Sequence, residues 1–358
     1  MPARLSIVDL SDIEARKQDI SRQLLEAATG SGFFYVTGHG ISKEEVEEQF
    51  ANGRRFIDLH EATKAPTKFV PDLFMGWRGR QDTNAAVGND SWEQYLVGVN
   101  DHYMDAHNLW QPERILPGFR TSALAFAAKA NAVAASILSC FEEALKLPAG
   151  FFQEHLDLQA SDARTLFGWN YYPAPKPGSG QARQLRLLPH ADTDVITLLF
   201  QRPGEPGLEI LPGKDADAHA ADDPSGKDAT RLNGAWTGGL PRGIWTRMDP
   251  LEGAITVNIG NMLMRLSDGL LLSTYHRVRA PLPEEQPADR NTMVLFVHGR
   301  GHAVMQGPRK VYPAQTVAEM IAANGNGYEK VKQDKEWQQQ AMTFLPHTSS
   351  RPAAIEAV

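Results

Sequence analysis

Leu188-Pro189-His190-Ala191-Asp192-Thr193-Asp194 leads into Val195-Ile196-Thr197-Leu198-Leu199-Phe200-Gln201. Whether this stretch is strand or helix decides the fold. Residues 194–201 are apolar and β-branched, which predicts a strand. Extended backbone puts residues two apart on one face, so His190 and Asp192 could serve the same cation. In a helix that spacing would aim them apart. The spacing alone carries little. His155-Leu156-Asp157 repeats it between Phe151 and about Leu158, a segment that reads as a helix, and there it predicts surface or capping structure.

Outward from this strand, the C-terminal half keeps a β character. Leu166-Phe167-Gly168-Trp169-Asn170-Tyr171-Tyr172, Leu208 to Leu211, Gly243 to Thr246, Ala254 to Ile259 and Thr292 to Val297 read as short strands between Gly and Pro turns. Many short strands of this kind predict a barrel or sandwich. Residues 212–243 are polar and rich in Asp, Ala, Gly and Pro, which predicts a surface excursion. The N-terminal half is mostly helical. Ser11, with Asp12 and Glu14 behind it, predicts a helix start; the helix runs to about Ala28 and Gly30 to Gly32 stop it. Gly32-Phe33-Phe34-Tyr35-Val36 predicts a buried strand, Lys43 to His60 a helix, and Thr121 to Leu145 the clearest helix of all. Residues 65–120 read as loop with short elements, and 314–336 as a further helix. Helices thus flank one central antiparallel β-core.

The 358 residues are 42% hydrophobic and 22% charged, proportions of an ordinary globular protein. A net charge of −7 without clustered Lys or Arg disfavours nucleic acid as a partner. The single cysteine, Cys140, excludes an intrachain disulfide and a zinc–thiolate cluster, and reads as a small core residue. Residues 1–10 lack the apolar region of a signal peptide, and no apolar run reaches the roughly 18 residues of a membrane span. The expected setting is reducing and cytoplasmic, without membrane; the oligomeric state is open.

A third ligand to join His190 and Asp192 is offered by Ser273-Thr274-Tyr275-His276-Arg277-Val278. Two His and one carboxylate on one side of a metal leave coordination positions open, as in non-haem iron(II) oxygenases. The same donors can hold zinc, although no His-Glu-x-x-His helix is present. Taken alone, His276 also reads as a core or surface histidine. Arg290 presents a planar fork that can grip a carboxylate at two points. Thr292, two positions on, shares its strand face and carries a hydroxyl donor. The plain alternative for Arg290 is a salt bridge to Asp289 or Glu284.

From Ile7 to about Gly299 the chain resembles the isopenicillin N synthase-like family of iron(II)/2-oxoglutarate-dependent dioxygenases. Ile7-Val8-Asp9-Leu10 followed by Gly32 to Ile41 is similar to the family's N-terminal region, and Asn170-Tyr171-Tyr172-Pro173 to its Asn-x-Tyr-Pro strand. His190-x-Asp192 resembles its metal pair, and Gly207-Leu208-Glu209-Ile210 the strand that follows. Val257 to Leu263, Ser267-Asp268-Gly269 and Ser273 to Val278 resemble the approach to the second metal-binding His, here His276. Arg290-Asn291-Thr292 falls where the family has Arg-x-Ser.

The resemblance implies an α+β fold with a mainly β core: a double-stranded β-helix (jelly-roll, cupin-like) barrel flanked by helices. It implies a single catalytic unit over 1–358, with a mostly helical region at 1–150, a jelly-roll core at 151–312 carrying the insertion 212–243, and a helical tail at 313–358. His190, Asp192 and His276 would bind Fe(II). Arg290 and Thr292, helped by Tyr172 and with Asn170 nearby, would hold 2-oxoglutarate. Phe296 and Trp77 would contact substrate; core packing is the other reading of Phe296. The implied reaction consumes O2 and 2-oxoglutarate, with ascorbate as a reductant. Decarboxylation to succinate accompanies hydrogen-atom abstraction from a small molecule, a secondary metabolite or amino-acid derivative, giving hydroxylation, desaturation or ring rearrangement.

Thr292 replaces the family's usual Ser and keeps the hydroxyl, and Asn261 stands where Asp is common. The insertion 212–243 would lie at the barrel rim, as a lid or a plain surface loop. An iron oxidase of the same fold that does not use 2-oxoglutarate remains an alternative, as does a non-catalytic ligand-binding module.

Overall fold

A computed structural model describes residues 4–79, 92–157, 160–175, 185–212, 245–282, 284–324, 351–352 and 354–357. Two sheets face each other. The larger has nine strands in the order β14-β1-β2-β10-β7-β12-β5-β4-β3, and the smaller has five, β13-β9-β8-β11-β6. The strands are β1 (Arg4–Asp9), β2 (Phe33–Thr37), β3 (Gly76–Arg78), β4 (Glu93–Gly98), β5 (Leu166–Tyr172), β6 (Leu187–His190), β7 (Ile196–Gln201), β8 (Leu208–Ile210), β9 (Thr246–Arg247), β10 (Ile255–Ile259), β11 (His276–Val278), β12 (Arg290–Val297), β13 (Arg351–Pro352) and β14 (Ala354–Ala357). The helices are α1 (Ile13–Gly30), α2 (Lys43–Ile57), α3 (Glu61–Lys64), α4 (Asp101–Ala106), α5 (Phe119–Leu145), α6 (Phe151–His155) and α7 (Asn261–Leu266). This is the double-stranded β-helix, flanked by helices.

Strand alternation sorts the large sheet into two faces. Phe167, Trp169 and Tyr171 of β5, with Met293 and Leu295 of β12 and Leu198 and Phe200 of β7, join the core shared with α1, α2 and α5. The alternate residues turn toward the small sheet. At one end of that interior Leu5, Phe33 and Tyr35 pack on Leu208, Ile210 and Met248. At the other, Trp92 and Tyr172 pack on Val278. Between them Leu199 and Phe296 are only half-buried, although both lie on central strands, so the barrel is open there.

Helix α5 is long and apolar enough to cross a membrane by length and composition, which corrects the expectation that no run of this kind exists. Its Ala123, Ala127, Ala130, Ala134, Ile137 and Phe141 are buried in the helix-side core, so it serves as a core helix here. The small side chains let α1, α2 and the sheet come close.

The helix α2 approaches β5 at Gly53, where a Cβ would lie 2.0 Å from Cδ1 of Trp169. The Trp169 indole donates to the Gln49 carbonyl at 3.1 Å and cannot swing aside without losing that bond. Gly53→Ala gains up to about 1 kcal/mol of helix propensity. Overpacking costs about 1–3 kcal/mol, so net destabilisation is expected; a rise in the urea midpoint would contradict it.

Three further expectations change. Ser11 does not cap α1: its amide donates to Asp9 Oδ1 at 3.0 Å, and Asp12 occupies the cap position. The β-core is not confined to 151–312, because β1 to β4 supply four strands of the large sheet from the first hundred residues. The tail 313–358 is not wholly helical. Residues 317–324 are helical, but 354–357 form β14, which pairs in parallel with β1 and covers its free edge. The insertion 212–243, beyond its first residue, lies outside the described residues, as do 325–350 of the tail.

Candidate metal centre

Cross-strand register builds the site. β11 runs antiparallel to β6 with His276 directly opposite His190, which brings the two imidazoles to 4.1 Å between centroids. Asp192 is not on the strand: β6 ends at His190, and the turn toward β7 carries the carboxylate back to the imidazoles. The two-apart spacing therefore works through a turn rather than through a shared strand face. Asp192 Oδ1 lies 3.7 Å from His190 Nε2 and 3.6 Å from His276 Nε2. One ligand atom from each residue lies within 4.8 Å of the other two. Two imidazole nitrogens and a carboxylate oxygen converging at this span suit one cation of the first transition row.

The surroundings fix His276 and Asp192. His276 Nδ1 lies 3.2 Å from the Thr274 carbonyl, which can only accept, so Nδ1 carries the proton and Nε2 keeps its lone pair. Phe33 packs edge-on against the same ring at 5.3 Å. Asn258 Nδ2 donates to Asp192 Oδ2 at 2.9 Å and Thr197 Oγ1 donates to it at 2.6 Å, leaving Oδ1 for the imidazole side. Burial would raise the Asp192 carboxyl, but the His276 and His190 rings and these two hydrogen bonds outweigh it and hold it below the usual range.

Thr197 Oγ1 also lies 2.7 Å from Asp194 Oδ2. Burial, then the charge of Asp192, push the Asp194 carboxyl well above the ordinary range. A hydroxyl has a single proton to give. Thr197 therefore cannot donate to Asp192 and Asp194 at once. Gly260 is required beside it, because a Cβ there would meet the Asp194 carbonyl at 2.1 Å. The next residue, Asn261, donates its amide to the Asp192 carbonyl at 2.8 Å.

The predicted anion-binding residues fall together on the inner face. Register pairs Arg290 with Tyr172, and Thr292 with Asn170 and Gln201. Arg290 is fully buried, with its guanidinium 5.1 Å over the Tyr172 ring and Nη2 donating to Gln201 Oε1 at 2.9 Å. It makes no salt bridge to Asp289, whose carboxylate takes the Tyr171 hydroxyl and the Ala174 amide. Asn170 donates to Thr292 Oγ1 at 3.3 Å and accepts from Gln94 at 2.8 Å. Phe296 lies further along the same face and is half-buried.

Trp77 is a correction. It pairs with Tyr95, and Tyr95 with Trp169, so it belongs to the helix-side face. Its indole donates to Glu93 at 2.8 Å inside the core, beside the buried Lys64–Glu93 ion pair. The inner-face residue of that strand is Arg78, stacked on Phe69 at 3.7 Å. The second His-x-Asp pair stays structural: His155 ends α6, stacks on Phe151 at 4.4 Å and contacts the Phe151 carbonyl.

Thr197, Asn258, Gln201 and His298 escaped the sequence reading. His298, inner-facing and buried, has its imidazole pushed down to about 4, chiefly by burial. Polar residues at inward parity of apolar strands were the available signal; the register that joins them was not.

Residues 5–114 match the model described as non-haem dioxygenase in morphine synthesis N-terminal, and residues 229–299 that of the 2OG-Fe(II) oxygenase superfamily. The second match includes His276, Arg290 and Thr292 and begins after His190 and Asp192. The chain is 27% identical over 303 residues to a 2-oxoglutarate-dependent dioxygenase of Dothideomycetidae sp. (strain 11243), covering 79% of each. It is 28% identical to the validamycin A dioxygenase of Streptomyces hygroscopicus subsp. limoneus, covering 83% of this chain and 77% of that one. Among solved structures, a full-length Neurospora crassa protein in complex with alpha-KG and thymine shares the fold with a TM-score of 0.72 at 21% identity, over 90% of this chain and 97% of that one. The Arabidopsis thaliana dioxygenase for auxin oxidation, as its 2-oxoglutarate complex, does so at 0.64 and 19%, over 86% and 97%. With these matches alongside the converging donors, the chain belongs to the iron(II)- and 2-oxoglutarate-dependent oxygenases.

Proposed function

We propose that His190, Asp192 and His276 hold the iron of this dioxygenase, that Arg290, Thr292, Tyr172 and Asn170 hold its 2-oxoglutarate, and that its substrate is a small secondary metabolite or amino-acid derivative, oxidised in the cytoplasm. The observation that carries the assignment is the convergence of Asp192 Oδ1 with two imidazole Nε2 atoms in a barrel whose wall also presents Arg290. Iron with 2-oxoglutarate and O2 supplies the oxidising power to take a hydrogen atom from substrate. The chain's own residues do the rest. Thr197 and Asn258 keep Asp192 ionised and turned inward. Thr274 holds His276 in the tautomer that offers Nε2. Gln201 takes one N–H of Arg290 and orients the remaining fork. The Asn170–Thr292 bond orients the threonine hydroxyl along the same wall. Phe296 and Leu199 give the open part of the barrel an apolar lining that excludes water from the reacting centre.

The substrate class rests on relatives named for such chemistry, validamycin A dioxygenase among them. Anaerobic addition of 2-oxoglutarate to the Fe(II)-loaded protein is expected to produce a visible charge-transfer absorption from chelation of the metal. If the iron(II) spectrum does not respond, the protein is an iron oxidase that dispenses with 2-oxoglutarate.

A further inference from the structure

Positive charge is out of balance around Arg290. Arg186, immediately before β6, is 4% exposed and Arg290 is 2% exposed. Both donate to neutral groups: Arg186 Nη2 to the Ala288 carbonyl at 2.7 Å, and Arg290 Nη2 to Gln201 Oε1 at 2.9 Å. The Nε of each is buried without a hydrogen-bond partner. No carboxylate among the described residues forms an ion pair with either. The two acidic groups nearest in charge are engaged elsewhere, Asp289 with Tyr171 and Arg54, and Glu205 with Asn291 and Arg202.

The two arginines are neighbours. Ala288 lies two residues before Arg290, and Leu187 packs in the cluster of Tyr172, the residue whose ring lies under the Arg290 guanidinium. Burial and then repulsion from Arg290 bring Arg186 down to about 10, still protonated at neutral pH. The adjoining arginines are treated differently: Arg277 is paired with Glu209, and Arg279 with Glu285. An unpaired buried guanidinium is strongly disfavoured, and two together more so. An anion of matching size offsets both. A carboxylate has two oxygens and about four lone-pair sites, enough for two arginine donors and a threonine hydroxyl.

We propose that Arg186 is a second cationic group of the cosubstrate site, holding the distal carboxylate of 2-oxoglutarate together with Arg290 and making the site select a dicarboxylic oxo acid over a monocarboxylic one. This rests on the assignment of Arg290 and Thr292 to 2-oxoglutarate. Selectivity follows because an oxo acid without the distal carboxylate leaves both guanidinium groups uncompensated.

The test is anaerobic titration of the Fe(II)-loaded protein with 2-oxoglutarate and with 2-oxovalerate, which has a methyl group in place of the distal carboxylate. Both are followed by the charge-transfer absorption. Arg186→Met removes the charge, Arg186→Lys keeps it, and Arg186→Gln keeps a donor for the Ala288 carbonyl. Arg186→Met and Arg186→Gln are expected to weaken 2-oxoglutarate by about 10- to 100-fold, the worth of a charge-assisted hydrogen bond. 2-Oxovalerate should bind them as it binds wild type, and Arg186→Lys should keep most of the preference. Equal losses for both acids would make Arg186 a structural residue and overturn the proposal, as would no loss for either. If Arg186→Met does not fold, the same ratio is read from Arg186→Gln. Failure of wild type itself to respond to 2-oxoglutarate would instead overturn the cosubstrate assignment, and this proposal with it.

Discussion

His276→Ala is expected to abolish iron retention and succinate formation. Two donors, His190 and Asp192, would remain. Removing a hydrogen-bonding partner behind a metal ligand costs roughly 10- to 100-fold in metal affinity or activity; removing a ligand should cost more. Asn258→Ala and Thr197→Val provide the calibration, because each strips one hydrogen bond from Asp192 Oδ2 and leaves all three ligands in place. The expected order of iron affinity is wild type, then the two partner variants, then His276→Ala. Iron content after dialysis against a mild chelator and succinate released from 2-oxoglutarate give the two readouts. Wild-type values for His276→Ala in both would remove the site from where it is placed.

Glu209→Ala should be the most damaging change away from the ligands. Glu209 Oε2 accepts from Arg277 Nε at 2.6 Å, both side chains being 1% exposed, and Oε1 lies 3.6 Å from Arg279 Nε. Trp245 covers the Arg277 guanidinium at 4.1 Å. Burial pulls Arg277 down and Glu209 pulls it back, so the carboxylate keeps a charge tolerable there. Breaking a buried pair by removing one partner costs about 3–5 kcal/mol, while replacing both by apolar groups of similar volume is often close to neutral. Against a total stability of about 5–15 kcal/mol the single change is severe. The double variant Glu209→Leu with Arg277→Met should recover most of the loss, since Arg279 still has Glu285. Urea unfolding of the two singles and the double measures this; additive losses would mean that the pair contributes nothing as a pair. Arg277 adjoins His276, so the singles should also retain iron less well than the double.

Much of the site was legible because its residues sit at short, regular intervals. Arg290 and Thr292, like Asn170 and Tyr172, share an inward face by parity alone, and β5 and β12 do pair as neighbours. Parity was no help for Trp77, because which face of β3 points inward depends on its register with β4 and β5. Residues 65–120 read as loop because β3 is three residues long and β4 is buried on both faces, so neither shows alternation. Thr197 and Asn258 belong to the site only through the pairing of β7 with β10, a contact between residues some sixty positions apart in the chain. The strand at 354–357 was unreadable for the same reason: its partner, β1, lies at the opposite end.

That last pairing has a temporal side. β1 leaves the ribosome well before β14, which occupies its outer edge and is made roughly 350 residues later. At about 5–20 residues per second that edge waits on the order of 20–70 s for its partner. Throughout that time Arg4 to Asp9 can pair on one side at most, and an unpaired strand edge is a template for other chains. Nascent copies on neighbouring ribosomes are therefore the nearest competitors for β1. Shortening the protein from its C-terminal side would make a transient hazard permanent.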